Sequence, residues 1–319
     1  MAATGHLKID RTLVASDNAL VLKSATAPLS GTSGTGAGVW AAPGVLLRCT
    51  GNKVTYINEG TLASPYWTPV SFDQAGLLAW ATDFRDGLGK AHADTAGTAT
   101  LVGSGIRVHG QGIAETDSGL VVTIGEGGPV AALTTTDEAA HLAALSVGGT
   151  TPPFQPDTHG PLVIDATVTM DTAITLRSLF IGFLGSIADA LDPPVTGNAT
   201  TLTLVQDDLA GLVFDAGLTD ADGLFAPHNK SDEAATILTT ATGVDCSTAF
   251  PAAATYQRLR VEMSAAGVMT CFADKVQITS IAAALDVDEE VAPCLLARST
   301  SAAVKTMNIT RFATWGSRA

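Results

Sequence analysis

Charge is scarce in this sequence. Asp, Glu, Lys and Arg make up 15% of the 319 residues, against about 25% in an average soluble domain. Cations are the scarcer sign, with 17 Lys and Arg against 31 Asp and Glu, a formal charge of −14. A nucleic-acid surface needs clustered cations to displace phosphate counterions. The cations here are spread along the chain, so no nucleic-acid partner is expected. Long apolar runs are also missing. The longest candidate, residues 178–187, has the length of a strand and falls short of the roughly 18 residues of a spanning helix, so no membrane partner is expected. The opening MAATGHLKIDRTLVASDN lacks the apolar core of a secretory signal.

Cysteine is sparse too. Cys49, Cys246, Cys271 and Cys294 form no C-x-x-C pair, which excludes zinc-ribbon and thioredoxin-like motifs. Four free thiols and folding in a reducing cytoplasm are expected. Aromatics are 5% of the chain, too few to line a long sugar groove. Apolar residues at 46% nevertheless exclude a disordered chain. The bulk is Thr, Ala, Gly and Ser.

Most of this material reads as short strands. Leu162, Ile164, Ala166, Val168 and Met170 alternate with Val163, Asp165, Thr167 and Thr169, the period of a half-buried strand. Leu259, Val261 and Met263 alternate with Arg258, Arg260 and Glu262. The sequence turns at residues 265–267, returns at 268–272, and turns again tightly at Ala273-Asp274-Lys275. Further strands are expected at 77–80, 99–102, 105–108, 120–124, 175–184, 201–205, 211–214, 236–240, 291–298 and 305–315. Strands at this spacing predict an all-β antiparallel sandwich. One helix is expected over 137–145, with Thr135 and Glu138 forming a capping box.

The sequence divides into residues 1–72, an N-terminal arm and small β hairpin region, and residues 73–319, the sandwich. Residues 24–44, SATAPLSGTSGTGAGVWAAPG, have the composition of an extended arm. Trp40 within it, and Tyr66 and Trp67 after the hairpin at 45–57, are the candidate anchors for a capsid or neighbouring subunit, because aromatics dominate interface energetics.

Two resemblances add to this. The segment YQRLRVEMSAAGVMTCFADKVQITSI, followed by VAPCLLARSTSAAVKTMNITRFATWG, resembles the end of a concanavalin/laminin-G-like jelly roll. Lys275 departs from the family's Gly after Asp. The phrase INEGTLASPYWTPVSFDQAGLLAW ahead of such a sandwich resembles bacteriophage virion proteins, above all head decoration (cement) proteins. That resemblance implies a structural role on the outer capsid surface after synthesis in the host cytoplasm. The major capsid protein would be the partner, with self-association as a trimer or another oligomer. The alternative is a carbohydrate-binding or host-adhesion module of a phage fibre, with glycan as partner.

Chemistry-bearing motifs are few. H-E-x-x-H, G-x-S-x-G and Walker A patterns do not occur, and the six His are scattered. Asp286, Asp288 and Glu290 share a strand phase, as a glycosidase pair would, but sit in a charged run that reads as a solvated loop. Asp220 and Asp222, in the D-x-D-G fragment before Gly223, are the metal-ligand candidate, against a plain Asp/Gly turn. No enzymatic activity and no cofactor are expected.

Overall fold

The computed structural model describes residues 14–16, 19–72, 74–84, 100–102, 105–110, 119–125, 128–148, 151–170, 174–175, 177–187, 192–206, 208–230, 237–239, 245–251 and 255–318. The chain forms two units, Met1–Leu77 with Arg318–Ala319, and Leu78–Ser317.

The first unit is a five-stranded sheet in sequence order, made of β1 (Val14–Ser16), β2 (Ala19–Ser24), β3 (Leu46–Cys49), β4 (Thr55–Asn58) and β5 (Trp67–Pro69). β2 and β3 pair in parallel, and a parallel pair needs a crossover. Residues 25–44 are that crossover. The stretch whose composition reads as an extended arm is wound into turns and tied down. Gly31 N–H donates to Pro65 O (2.8 Å) and Gly38 N–H to Leu62 O (2.7 Å).

The second unit holds β6 (Leu77–Thr82), β7 (Thr100–Val102), β8 (Ile106–His109), β9 (Gly119–Gly125), β10 (Gly128–Thr134), β11 (Leu142–Val147), the single-turn helix α1 (Pro156–His159), β12 (Leu162–Met170) and β13 (Arg177–Leu184). It continues with β14 (Val195–Asn198), β15 (Thr201–Leu204), β16 (Leu209–Asp215), β17 (Gly223–Phe225), β18 (His228–Asn229), β19 (Ile237–Thr239) and β20 (Asp245–Ala249). It ends with β21 (Gln257–Met263), β22 (Met269–Ala273), β23 (Val276–Ile281), β24 (Ala292–Ser299) and β25 (Thr306–Ser317).

Two large sheets form. Sheet I runs β23-β22-β21-β12-β25-β10-β9, with β6 also on β25; sheet II runs β20-β17-β16-β13-β24-β11-β8-β7, with β18 on β16. The chain repeatedly crosses between them, as at β12–β13, β20–β21, β23–β24 and β24–β25, which is the layout of an antiparallel jelly-roll sandwich. The alternating residues Leu162, Ile164, Ala166, Val168 and Met170 meet Leu179, Ile181, Phe183 and Leu295 of sheet II in the main core. On the opposite face of sheet II, Phe180, Leu209, Val213 and Leu296 pack with Val195, Leu202 and Leu204 of the small sheet β14-β15-β19.

Residues 142–147 are a strand, which corrects the expected helix. β11 lies between β24 and β8 with every residue buried, so partners on both sides override the helical propensity of Ala and Leu. Ala140, at φ 69°, turns the chain just ahead of it.

The hairpin β22–β23 turns through Asp274 (φ 48°) and Lys275 (φ 71°). Both central residues are left-handed, the geometry that favours Asp-Gly. Asp274 accepts the Arg258 N–H (2.9 Å), whereas Lys275 gains nothing from its strained φ. We expect Lys275→Gly to stabilise the sandwich by about 0.5–1 kcal/mol. A thermal midpoint that does not rise would refute this.

Candidate functional site

In the first unit, sequence reasoning singled out Trp40, Tyr66 and Trp67. The structure brings all three together, but not as exposed anchors. Tyr66 is fully buried and Trp67 is 2% exposed. Trp40 is half-buried, its ring tilted 51° to that of Trp67 at 6.0 Å. Trp67 Nε1–H donates to Thr35 O (3.2 Å), and its backbone N–H donates to Ser30 Oγ (3.0 Å). The aromatics therefore serve as the core onto which the 25–44 crossover folds. The unit is too small to fill its interior with aliphatics alone, so aromatics with a polar handle take that place.

Sequence reasoning missed the organising residue, Asn58. It is 1% exposed, and its Oδ1 accepts the N–H groups of Gly60 and Tyr66, both at 2.8 Å. Its Nδ2 donates to Ala41 O. One amide thus joins the 58–66 turn to the crossover. The signal was in the phrase INEG, since Asn favours turns in which its side chain binds nearby backbone.

Among the residues this unit exposes are large aliphatics, Val70 at 57% and three on the crossover and the 58–66 turn. Val39 is 64% exposed, Leu62 42% and Leu29 39%. Val39 and Leu62 flank the Gly38–Leu62 hydrogen bond, and Leu29 O accepts the Thr35 N–H (2.8 Å).

In the second unit the densest polar constellation lies on the face of sheet I turned away from the main core. Asp165, expected to face outward, does leave the core but is fully buried. Arg258 donates from Nε to Asp165 Oδ1 (2.9 Å) and from Nη2 to Oδ2 (2.9 Å). Arg260, also fully buried, donates from Nε to Oδ2 (2.9 Å). Arg311 approaches Oδ1 at 3.8 Å. Arg260 lies 4.9 Å over the Trp315 ring and 4.0 Å from Glu262. A bulge brings Arg311 there. Thr167 pairs Arg311 while Val168 pairs Ile309, so Thr310 is the extra residue and both Ile309 and Phe312 still face the core. Burial pushes the Asp165 carboxyl up, but Arg260, Arg258 and Arg311 outweigh it and hold it far below the ordinary carboxylate range.

Asp220 and Asp222 meet in a turn closed by Gly223 N–H to Asp220 O (3.2 Å). Partial burial, and then the hydrogen bond and charge of Asp222, raise the Asp220 carboxyl. Among the described residues no group of three or more His, Cys, Asp or Glu is placed to hold a metal ion. The geometry is that of an Asp/Gly turn. Asp286 lies 3.9 Å from Lys230, and Asp288, Glu289 and Glu290 are exposed in the loop before β24.

His109 is fully buried and its Nε2 is hydrogen-bonded to Ser146 Oγ. His141 bonds Thr136 and Glu138; His6 and His92 lie outside the described residues. All four cysteines are free and buried. Burial raises the thiols of Cys271 and Cys294, and burial with Asp245 pushes Cys246 up to about 12, which leaves them unreactive.

No family model matches the sequence, and no curated protein matches it. Similarities to solved structures are low in identity. The chain is similar to the potassium-bound Emp46p carbohydrate recognition domain at 11% identity and a TM-score of 0.43, over 67% of this chain and 89% of that one. It is similar to peanut lectin at 10% identity and a TM-score of 0.43, over 75% and 97%. A carbohydrate esterase from the Shiga toxin-encoding bacteriophage phi24B gives 14% identity and a TM-score of 0.37, over 70% and 99%. No site residue carries over from any of them.

Proposed function

We propose that this protein is a non-enzymatic virion component that binds the outer surface of a phage head through its first unit and displays the sandwich. The observation that carries this reading is the exposed set Leu29, Val39 and Leu62 on loops whose backbone is tied down. Rigid loops lose little freedom on docking, so burying these side chains yields more net binding energy than a floppy arm would. The partner is the major capsid protein, and binding strengthens the shell because a ligand of the assembled state stabilises that state.

The test is co-sedimentation of purified protein with emptied heads, using the double variant Val39→Glu, Leu62→Glu. Wild type is expected to travel with the heads. The variant is expected to stay at the top of the gradient with unchanged circular dichroism, an affinity loss of at least about 100-fold for two buried charges. Wild-type protein that ignores heads would refute the reading. Binding that survives the double variant would move the contact elsewhere. A glycan-array signal with no head binding would replace it with the carbohydrate-binding alternative.

A further inference from the structure

We infer that β9, the outer strand of sheet I, is a self-pairing edge that joins two copies of this chain about a two-fold axis through Val122. β9 pairs with β10 through seven consecutive residue pairs without a bulge. Among the described residues no strand pairs with its other side. Natural sheets protect such edges with charge, proline, bulges or shortness. The other edge of sheet I follows this practice: β23 carries a bulge opposite Cys271 and Phe272 and starts beside Lys275. β9 has none of these devices. Its sequence, GLVVTIG, is seven residues long and uncharged.

That sequence is also nearly a palindrome. Antiparallel pairing centred on Val122 sets Gly119 against Gly125, Leu120 against Ile124, and Val121 against Thr123. A two-fold contact makes each of these pairs twice, so every pair must be compatible, and here glycine meets glycine and branched side chains meet branched side chains. Facing is preserved as well. Leu120 and Val122 pack toward the main core, and Ile124 shares their phase, so inner face continues into inner face. Ile124, now 70% exposed, would come to lie against Leu120 of the second copy. Finally, a chain of charge −14 repels itself at most approaches, and an uncharged edge is where two copies meet at least cost.

The test is sedimentation velocity on the full chain with two variants. Wild type is expected to be a dimer. Thr123→Lys changes an exposed side chain and is expected to give a monomer with unaltered circular dichroism. Val122→Cys is expected to form an intermolecular disulfide when diamide takes up two electrons and two protons. Residues directly opposite in an antiparallel pair lie about 4.5–5.5 Å apart at Cα, within disulfide reach, and the native thiols are all buried. A monomeric wild type, a trimer, or a dimer indifferent to Thr123→Lys would overturn the proposal. A dimer that Val122→Cys does not cross-link would overturn the two-fold at Val122.

Discussion

Asp165→Asn is expected to destabilise the sandwich by about 3–5 kcal/mol, the cost of removing one partner from a buried ion cluster. For a unit of this size that lowers Tm by about 6–20 °C. Asn keeps the shape of Asp but withdraws the charge that Arg258 and Arg260 both reach within 3 Å. Arg260 is fully buried, so its charge would lose its ion pair with Asp165 at 2.9 Å away from solvent, with Glu262 at 4.0 Å. Arg311→Ala is the control. Arg311 is 30% exposed and 3.8 Å away, and its loss is expected to cost under about 1 kcal/mol. Equal effects from the two variants would show that the cluster does not depend on Asp165.

The same carboxylate sets an acid dependence. Its folded value lies below the ordinary 3.8, so the unfolded chain binds its proton first. Its contribution is therefore complete above about pH 4 and is lost as pH falls from there toward the folded value. Wild-type stability should fall steeply with acid in that window, and Asp165→Asn should lack that part of the slope. Denaturant midpoints across the range would decide it.

Gly211→Ala is expected to cost about 3 kcal/mol or more. Gly182 and Gly211 face each other across β13 and β16. A Cβ on Gly211 would lie 2.6 Å from Ile181 O and 2.7 Å from the Phe180 ring; one on Gly182 would lie 2.3 Å from Ala210 O. Two of these obstacles are ladder carbonyls, which cannot swing aside as a side chain can. The Phe180 ring fills the space that both missing side chains leave, covering bare backbone in the second core. A loss below about 1 kcal/mol on denaturant unfolding would mean that the pair opens without difficulty.

Alternation in the sequence located β12 to the residue, because one face of that strand is purely aliphatic. The same alternation could not say that its other face is buried. The partners of Asp165 come from residues 93 and 95 positions away, and strand order is not written in either strand. Residues 142–147 show the converse limit. A run buried on both faces has no period, and only its neighbours make it a strand. In the first unit, Trp40, Tyr66 and Trp67 were expected as anchors for a partner and Tyr66 and Trp67 are found buried, because a tryptophan that anchors a partner and one that fills a small core have the same sequence signature. The distinction came from Asn58, whose amide folds the 58–66 turn over them.

β25 lies between β12 and β10 in sheet I, yet every strand beside it is translated earlier. Until Thr306–Ser317 leaves the ribosome, β12 and β10 cannot be joined, and the inner surfaces of both stay wet. The nascent chain is thus most exposed to off-pathway association in the interval between the emergence of β24 and that of β25, when the strands beside β25 exist and the strand that joins them does not. A stop codon shortly before residue 306 would spare most of the core residues and still leave two half-sheets with four raw edges.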